Sequence, residues 1–319
     1  MSFQGSHEAL SSRREEQAVT VAFEDPLYSS ESVDTRGWID SQELYERARE
    51  SYTNIIGLDI AFTTPSGELI IPRRSIEPLI GDAWFVGGRF FAGETVSDMV
   101  RRTIANDTNL AIDPSRVQFV ALHNYYLVNT FPEEAAKRGL PTSHHAMGLT
   151  FTVELTEEEA CTLQLTKNEY LDEIPARMPL TVAAESEDLP SPVRDIARDI
   201  LVGPGANASA PFRTYVADGY EPPAHYEFSE EEEQEISSAM VLTEIRVVTR
   251  DERSSIRRLM PGEDPNQVAA ELFDALGESM TNMRPPFMIL TREIETEPRE
   301  GGHKARVTRD AMVFTYLAQ

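Results

Sequence analysis

The chain has 319 residues, 40% of them hydrophobic and 26% charged, with one cysteine and a formal net charge of −25. That length suits two ordinary domains, or one large domain with tails. The lone Cys161 excludes an intrachain disulfide and a cysteine-rich zinc site, the acidic balance makes nucleic acid a poor partner, and no run approaches the roughly 20 apolar residues of a membrane helix.

Residues 1–37 are polar and largely aperiodic, and read as a flexible tail. They begin MSFQGSHEALSSRREEQ, which has no apolar core for a signal peptide, so the expected location is the cytoplasm. Ser41 to Ser51 predicts a short helix capped by Ser41. Asn54 to Phe62 is an apolar run of strand length, followed by a turn at residues 63–67 and a returning strand from Glu68 to Ile71. Ala83 to Val86 predicts a strand stopped by Gly87 and Gly88. Val96, Met99, Val100 and Ile104 fall at helical spacing and predict a helix from Thr95 to Thr108. Strands follow over Val117–Tyr126 and Ala146–Leu155, separated by a loop, and then a helix over Pro192–Leu201.

Residues 203–212 read as a linker rich in Gly, Pro, Ala and Ser. Beyond it, the glutamate run within Phe228 to Ser238 reads as a solvated helix start or loop. A strand (Met240–Thr249), a helix (Pro265–Leu276) and two strands (Phe287–Ile294, Ala311–Leu317) make a small α+β domain. The expected division is therefore tail 1–37, first domain 38–202, linker 203–212 and C-terminal domain 213–319. Lys137, Lys167 and Lys304 are the only lysines, a composition that suits a salt-rich cytoplasm in which screening weakens self-repulsion. Cys161 reads as a small, half-buried apolar residue.

The chemistry concentrates in Trp84-Phe-Val-Gly-Gly-Arg-Phe-Phe-Ala-Gly-Glu94 and the helix after it. Gly88 is followed by five residues and Glu94, then by seven residues and Arg102. Glycines let a backbone approach a ligand closely, and carboxylates one helical turn apart can share a divalent metal. This spacing resembles the Nudix box, G-x5-E-x7-R-E-U-x-E-E-x-G-U, where U is a bulky aliphatic. The box is degenerate: Thr103 stands for the glutamate after the arginine, Asn106-Asp107 for two glutamates, and Asn109 for the glycine.

The flanks are similar to those of the GDP-mannose mannosyl hydrolases. The matching pieces are Gly57-Leu-Asp59-Ile, Leu69-Ile-Ile-Pro-Arg-Arg74, Trp84-Phe-Val-Gly-Gly-Arg89 and Leu122-His123-Asn-Tyr-Tyr126, collinear over roughly residues 42–180. The resemblance implies a Nudix-like α/β/α sandwich with a mixed sheet, an α/β (α+β) fold, with the small C-terminal α+β domain appended. It implies hydrolysis of a nucleoside-diphosphate sugar, GDP-mannose-like, or a related nucleotide diphosphate. It places Asp59 on the sugar, and Arg74, Arg89 and Glu94 on the substrate. Mg²⁺ would sit on the Gly88 carbonyl and Asp107. A later loop aligns Thr166 with a glutamine ligand, Lys167 with a general base and Tyr170 with a family tyrosine. A lysine of ordinary pKa cannot accept a proton at neutral pH, so His123 and His144 stand as alternative bases, with His145 behind them. The resemblance also implies a homodimer. The lost carboxylates keep a second reading open: a Nudix-like module that binds a nucleotide sugar without turnover and signals to the C-terminal domain.

Overall fold

The computed structural model describes residues 41, 44, 47–48, 55–91, 94, 96–137, 142–166, 169–203, 213–221, 227–239, 241–278, 287–299 and 302–317. The expected tail, most of the linker, and Lys167 lie outside the described residues.

Strand β1 (Ile55–Thr63) is the organising element of the first unit. Ile56, Leu58, Ile60 and Phe62 alternate onto one face and are almost completely buried, as the period of two requires for an apolar strand. Gly57, Asp59 and Ala61 therefore take the other face. β2 (Glu68–Ile71) and β3 (Val86–Arg89) pair antiparallel with β1, and β5 (Ser143–Glu154) pairs parallel with it. β4 (Gln118–Val128) lies antiparallel to β5, β6 (Ala176–Pro179) edges β2, and β7 (Arg213–Val216) edges β4. The seven-stranded mixed sheet runs β6-β2-β1-β5-β4-β7, with β3 also on β1.

Helix α1 (Val96–Asp107) covers one face through Met99, Val100 and Ile104. Burying each such side chain contributes about 1.5–3 kcal/mol. The expected loop between β4 and β5 contains helix α2 (Pro132–Lys137), begun by a proline whose missing N–H is no loss at that position. After β5 comes the short helix α3 (Glu157–Thr162). The other face of the sheet is covered by residues of α4 (Leu180–Ala183) and α5 (Ser191–Val202), packed on Ala61, Leu69 and Phe85. The fold is thus an α/β/α sandwich, with a second, smaller α+β unit behind it. A further expectation changes at the glycines. They do not stop β3 but lie inside it, because Leu58 and Asp59 of β1 pair with Gly88 and Gly87.

The second unit contains α6 (Glu230–Ala239), β8 (Val241–Val248), β9 (Ser254–Arg258), α7 (Pro265–Ala275), β10 (Phe287–Arg299) and β11 (Gly302–Leu317). Its four-stranded sheet runs β10-β11-β8-β9. α7 packs Val268 and Phe273 on Ile245 and Val247. The opposite face carries Ile236 of α6, together with Leu44 and Ala48. The glutamate run is therefore the solvated start of a helix. Leu44, Arg47 and Ala48 are helical and the Ser41 hydroxyl accepts from the Leu44 N–H, as the cap predicts. That segment packs on the second unit, though, with Arg47 paired to Glu232 at 2.5 Å.

The expected boundary at residue 213 also falls one strand early, since β7 runs parallel to β4 in the first sheet. A two-fold hydrogen bond from Arg213 to the buried Asp199 (2.6 and 2.7 Å) anchors it there. The units meet where Gly262 N–H donates to His145 Nδ1 (2.9 Å) and Thr214 Oγ1 donates to Asp264 (3.1 Å).

Candidate functional site

A cleft of about 1100 Å³ opens where β1, β3, α1, β4 and β5 meet. Its lining includes Asp59, Arg74, Gly88, Arg89, Asp107 and His144, six of the residues that the sequence singles out. Strand pairing explains the convergence. Gly87 and Gly88 face Asp59 and Leu58 across β1–β3, and Gly148 sits beside Gly57 across β1–β5.

Asp59 is 8% exposed, and its Oδ1 accepts the Trp84 Nε1–H at 3.0 Å. Burial pushes its pKa up to about 6, against the Trp84 bond and the charge of Arg74. Two glycines make its space. A Cβ at Gly87 would lie 2.5 Å from the Leu58 carbonyl oxygen and 3.0 Å from Asp59 Oδ1. A Cβ at Gly148 would lie 2.5 Å from the Tyr125 ring and 3.4 Å from Asp59 Oδ2. Trp84 and Tyr125 meet edge-on at 5.5 Å to complete this end.

At the other end, Asp107 closes the last turn of α1. Tyr170 O–H donates to its Oδ2 at 2.8 Å, and the Gly87 N–H reaches the Tyr170 hydroxyl at 3.3 Å. Burial is the main cause that pushes the Asp107 pKa to about 6, and Glu169 adds to it. Tyr170 is itself 3% exposed and holds its proton well above the usual tyrosine range, because burial and Asp107 both oppose the phenolate.

Glu94 is engaged by Arg102, whose Nε and Nη2 donate to its two carboxylate oxygens, and it also accepts the Phe91 N–H at 2.9 Å. Arg102 Nη2 donates further to the Arg89 carbonyl (2.6 Å), and the guanidinium lies 4.0 Å from the centre of the Phe91 ring. The pair ties Phe91 and Glu94 to α1. Arg74 donates to the carbonyls of Pro78 (2.9 Å) and Glu77 (3.4 Å), which braces the opposite wall. Glu77 in turn accepts the backbone N–H groups of Thr130 and Phe131 at 2.8 and 3.1 Å, tying that wall to the start of α2.

The histidines separate. His144 lines the cleft, with Nε2 2.8 Å from Asn129 Oδ1. His123 is fully buried away from the cleft lining, with Nδ1 2.9 Å from Thr150 Oγ1, and burial pushes its pKa to about 3. The structure does not bring it to the cleft. His145 faces the second unit and is likewise held neutral by burial at about 3. Cys161 is exposed on α3 rather than half-buried.

The residues present do not fit a Mg²⁺ site well. Mg²⁺ seeks near-octahedral oxygen donors. The expected pair supplies one carboxylate, already accepting a hydroxyl, and one carbonyl. Thr103 takes the place of a second carboxylate, and among the described residues no group of three or more His, Cys, Asp or Glu could hold a metal.

No protein-family model matches the chain. No curated protein matches it. Among solved structures it is similar to a MutT protein from Methanosarcina mazei, at 17% identity and a TM-score of 0.37, covering 47% of this chain and 95% of that one. It is similar to the NUDIX domain of Shewanella oneidensis NrtR complexed with ADP ribose, at 16% identity and a TM-score of 0.33, over 47% of this chain and 89% of that one. A C. elegans Ap4A hydrolase is similar at 10% identity and a TM-score of 0.33, over 46% and 96%. Likeness at this level assigns neither activity nor substrate.

Sequence reasoning misses Tyr125, Gly148 and the Glu77 brace. Tyr125 sits inside a motif that gives it no role of its own. Gly148 carries no local turn signal, and Glu77 acts across the cleft on a loop some fifty positions later.

Proposed function

We propose that this chain is a Nudix-type protein whose cleft takes a nucleoside-diphosphate sugar, GDP-mannose-like, or a related nucleotide diphosphate, and hydrolyses it. The observation that carries this reading is the convergence of Asp59, Arg74, Arg89 and Asp107 on one cleft of adequate size. Arg74 and Arg89 suit the diphosphate because planar guanidinium groups donate in pairs to phosphate oxygens. Asp59, anchored by Trp84, suits a sugar hydroxyl. His144 is the predicted histidine that lines the cleft, and its imidazole is the group that would take a proton from the attacking water. Water would replace the nucleoside diphosphate at the anomeric carbon, with the arginines holding the leaving charge.

A second reading, binding without turnover, draws on the weak metal-donor set. Titration calorimetry with a panel of nucleotide sugars, coupled to an assay for released sugar, separates the two. Binding with turnover that His144→Ala abolishes supports the hydrolase. Binding without turnover supports the module, and no binding to any member defeats both.

A further inference from the structure

We propose that the corner of the cleft between Gly88 of β3 and the Arg102–Thr103 turn of α1 is a diphosphate site that works without a divalent cation, with the Thr103 hydroxyl and Arg102 Nη1 as its donors. This rests on the cleft reading above only for the size of the ligand. Thr103 is 2% exposed, lines the cleft, and its hydroxyl has no hydrogen-bond partner. A threonine in a helix ordinarily satisfies its hydroxyl on the carbonyl one turn back. Thr108, just beyond the same helix, does so, donating to the Ile104 carbonyl at 2.8 Å. Thr103 does not, and a buried unpartnered hydroxyl costs about 1–3 kcal/mol. Thr243 and Thr315 also have unpartnered hydroxyls, but they lie in the second sheet and outside the cleft lining.

The Thr103 hydroxyl faces Gly88. A Cβ placed there would sit 3.2 Å from Thr103 Oγ1 and 3.9 Å from Arg102 Nη1. Arg102 commits Nε and Nη2 to Glu94 and the Arg89 carbonyl, so among the described residues Nη1 is left without a hydrogen bond. Two donors thus flank a backbone position kept bare of a side chain, which is the requirement for seating phosphate oxygens close to the chain. Arg74 and Arg89 add positive charge along the same lining. The opposing charge nearest along α1 is Asp107, one turn on, whose Oδ2 already accepts the Tyr170 hydroxyl; Asp59, Glu77, Glu134 and Glu169 are the other carboxylates of the lining. Where the Nudix box has a metal-binding carboxylate, this chain therefore has a direct donor to the anion.

The test is titration calorimetry of the full chain with inorganic diphosphate, in EDTA and in excess Mg²⁺. The expected result is binding in EDTA that Mg²⁺ does not strengthen. Thr103→Val should weaken it about tenfold or more, the worth of a hydrogen bond to a charged group, and Thr103→Ser should retain it. Thr103→Val is isosteric and removes an unsatisfied hydroxyl, so its thermal midpoint should not fall. A structural role for Thr103 would lower that midpoint and leave affinity alone. No binding in EDTA, or affinity unchanged in Thr103→Val, overturns the proposal. Nucleotide sugars run in the same buffers report on the cleft reading alone. Their failure to bind while inorganic diphosphate binds sinks that reading and leaves this one standing.

Discussion

His144 and His145 are neighbours on β5 that point into two different regions. His144 lines the cleft beside Asn129. His145 is 4% exposed in the seam between the two sheets. Its Nδ1 accepts the Gly262 N–H, which forces the proton onto Nε2, and Nε2 then meets Asn124 Oδ1 at 2.5 Å. The His145 ring also stacks on Tyr126 at 4.6 Å. In the seam both nitrogens of one ring are occupied. In the cleft, the Thr103 hydroxyl is buried without a hydrogen-bond partner. Polarity that the fold completes holds structure, and polarity that the fold leaves incomplete beside an opening is where a ligand can be recognised.

The sharpest way to break this contrast is to remove each of the two histidines in turn. His144→Ala is expected to lower turnover about 10²–10⁴-fold, the range of general base catalysis, with little change in stability. Steady-state kinetics beside a urea titration checks both halves. His145→Ala should do the reverse. It empties a buried site and strands two hydrogen-bond partners, so a loss of about 2–4 kcal/mol is expected in the urea titration. Equal losses of stability in the two variants would end the distinction.

The carboxylate at the base of the cleft sharpens it further. Burial raises the Asp59 pKa from 3.8 to about 6, so the folded state binds the proton more tightly than the unfolded chain does. Stability from this group is complete below about pH 4 and is lost as pH rises through about 6. Asp59→Asn keeps an acceptor for Trp84 and removes the buried charge. It should stabilise the protein at pH 7.5 by up to about 3 kcal/mol, because each tenfold difference in proton affinity between the folded and unfolded states is worth about 1.36 kcal/mol. At pH 4 it should change stability by almost nothing. Thermal melts across that range read it directly, and a stabilisation that persists at pH 4 would mean that charge is not the cause. The smallest effect expected is that of Gly148→Ala, about 1–3 kcal/mol from overpacking against Tyr125, and the same variant should weaken any ligand seated on Asp59.

Much of the first unit is legible because its signals are local. The apolar run through β1, the helical spacing of Val96, Met99, Val100 and Ile104, and the Gly–Glu–Arg spacing each lie within one or two elements. The embedded Asp59 is legible for the same reason, since a carboxylate inside an apolar strand needs a partner. That the partner is Trp84 needs the β1–β3 register. The position of β7 is illegible because residues 203–212 read as a boundary, whereas Arg213 is drawn back to the first sheet by Asp199 of α5.

The sequence by itself determined the alternation of strands and helices, the glycine pair ahead of α1 and the identity of the groups with chemical potential. Those properties depend on neighbours a few bonds or one helical turn away. Tertiary structure alone decided which of those groups share a cleft. It sent His144 and His145 to opposite faces, set Tyr170 beneath Asp107, tied Glu94 to Arg102 and laid the Leu44–Ala48 segment on the far sheet. The reason is that strand register, sheet order and the packing of helices on sheets bring together residues far apart in the chain, as in the pairing of Arg47 with Glu232 across a separation of 185 positions, and no local pattern encodes such a distance.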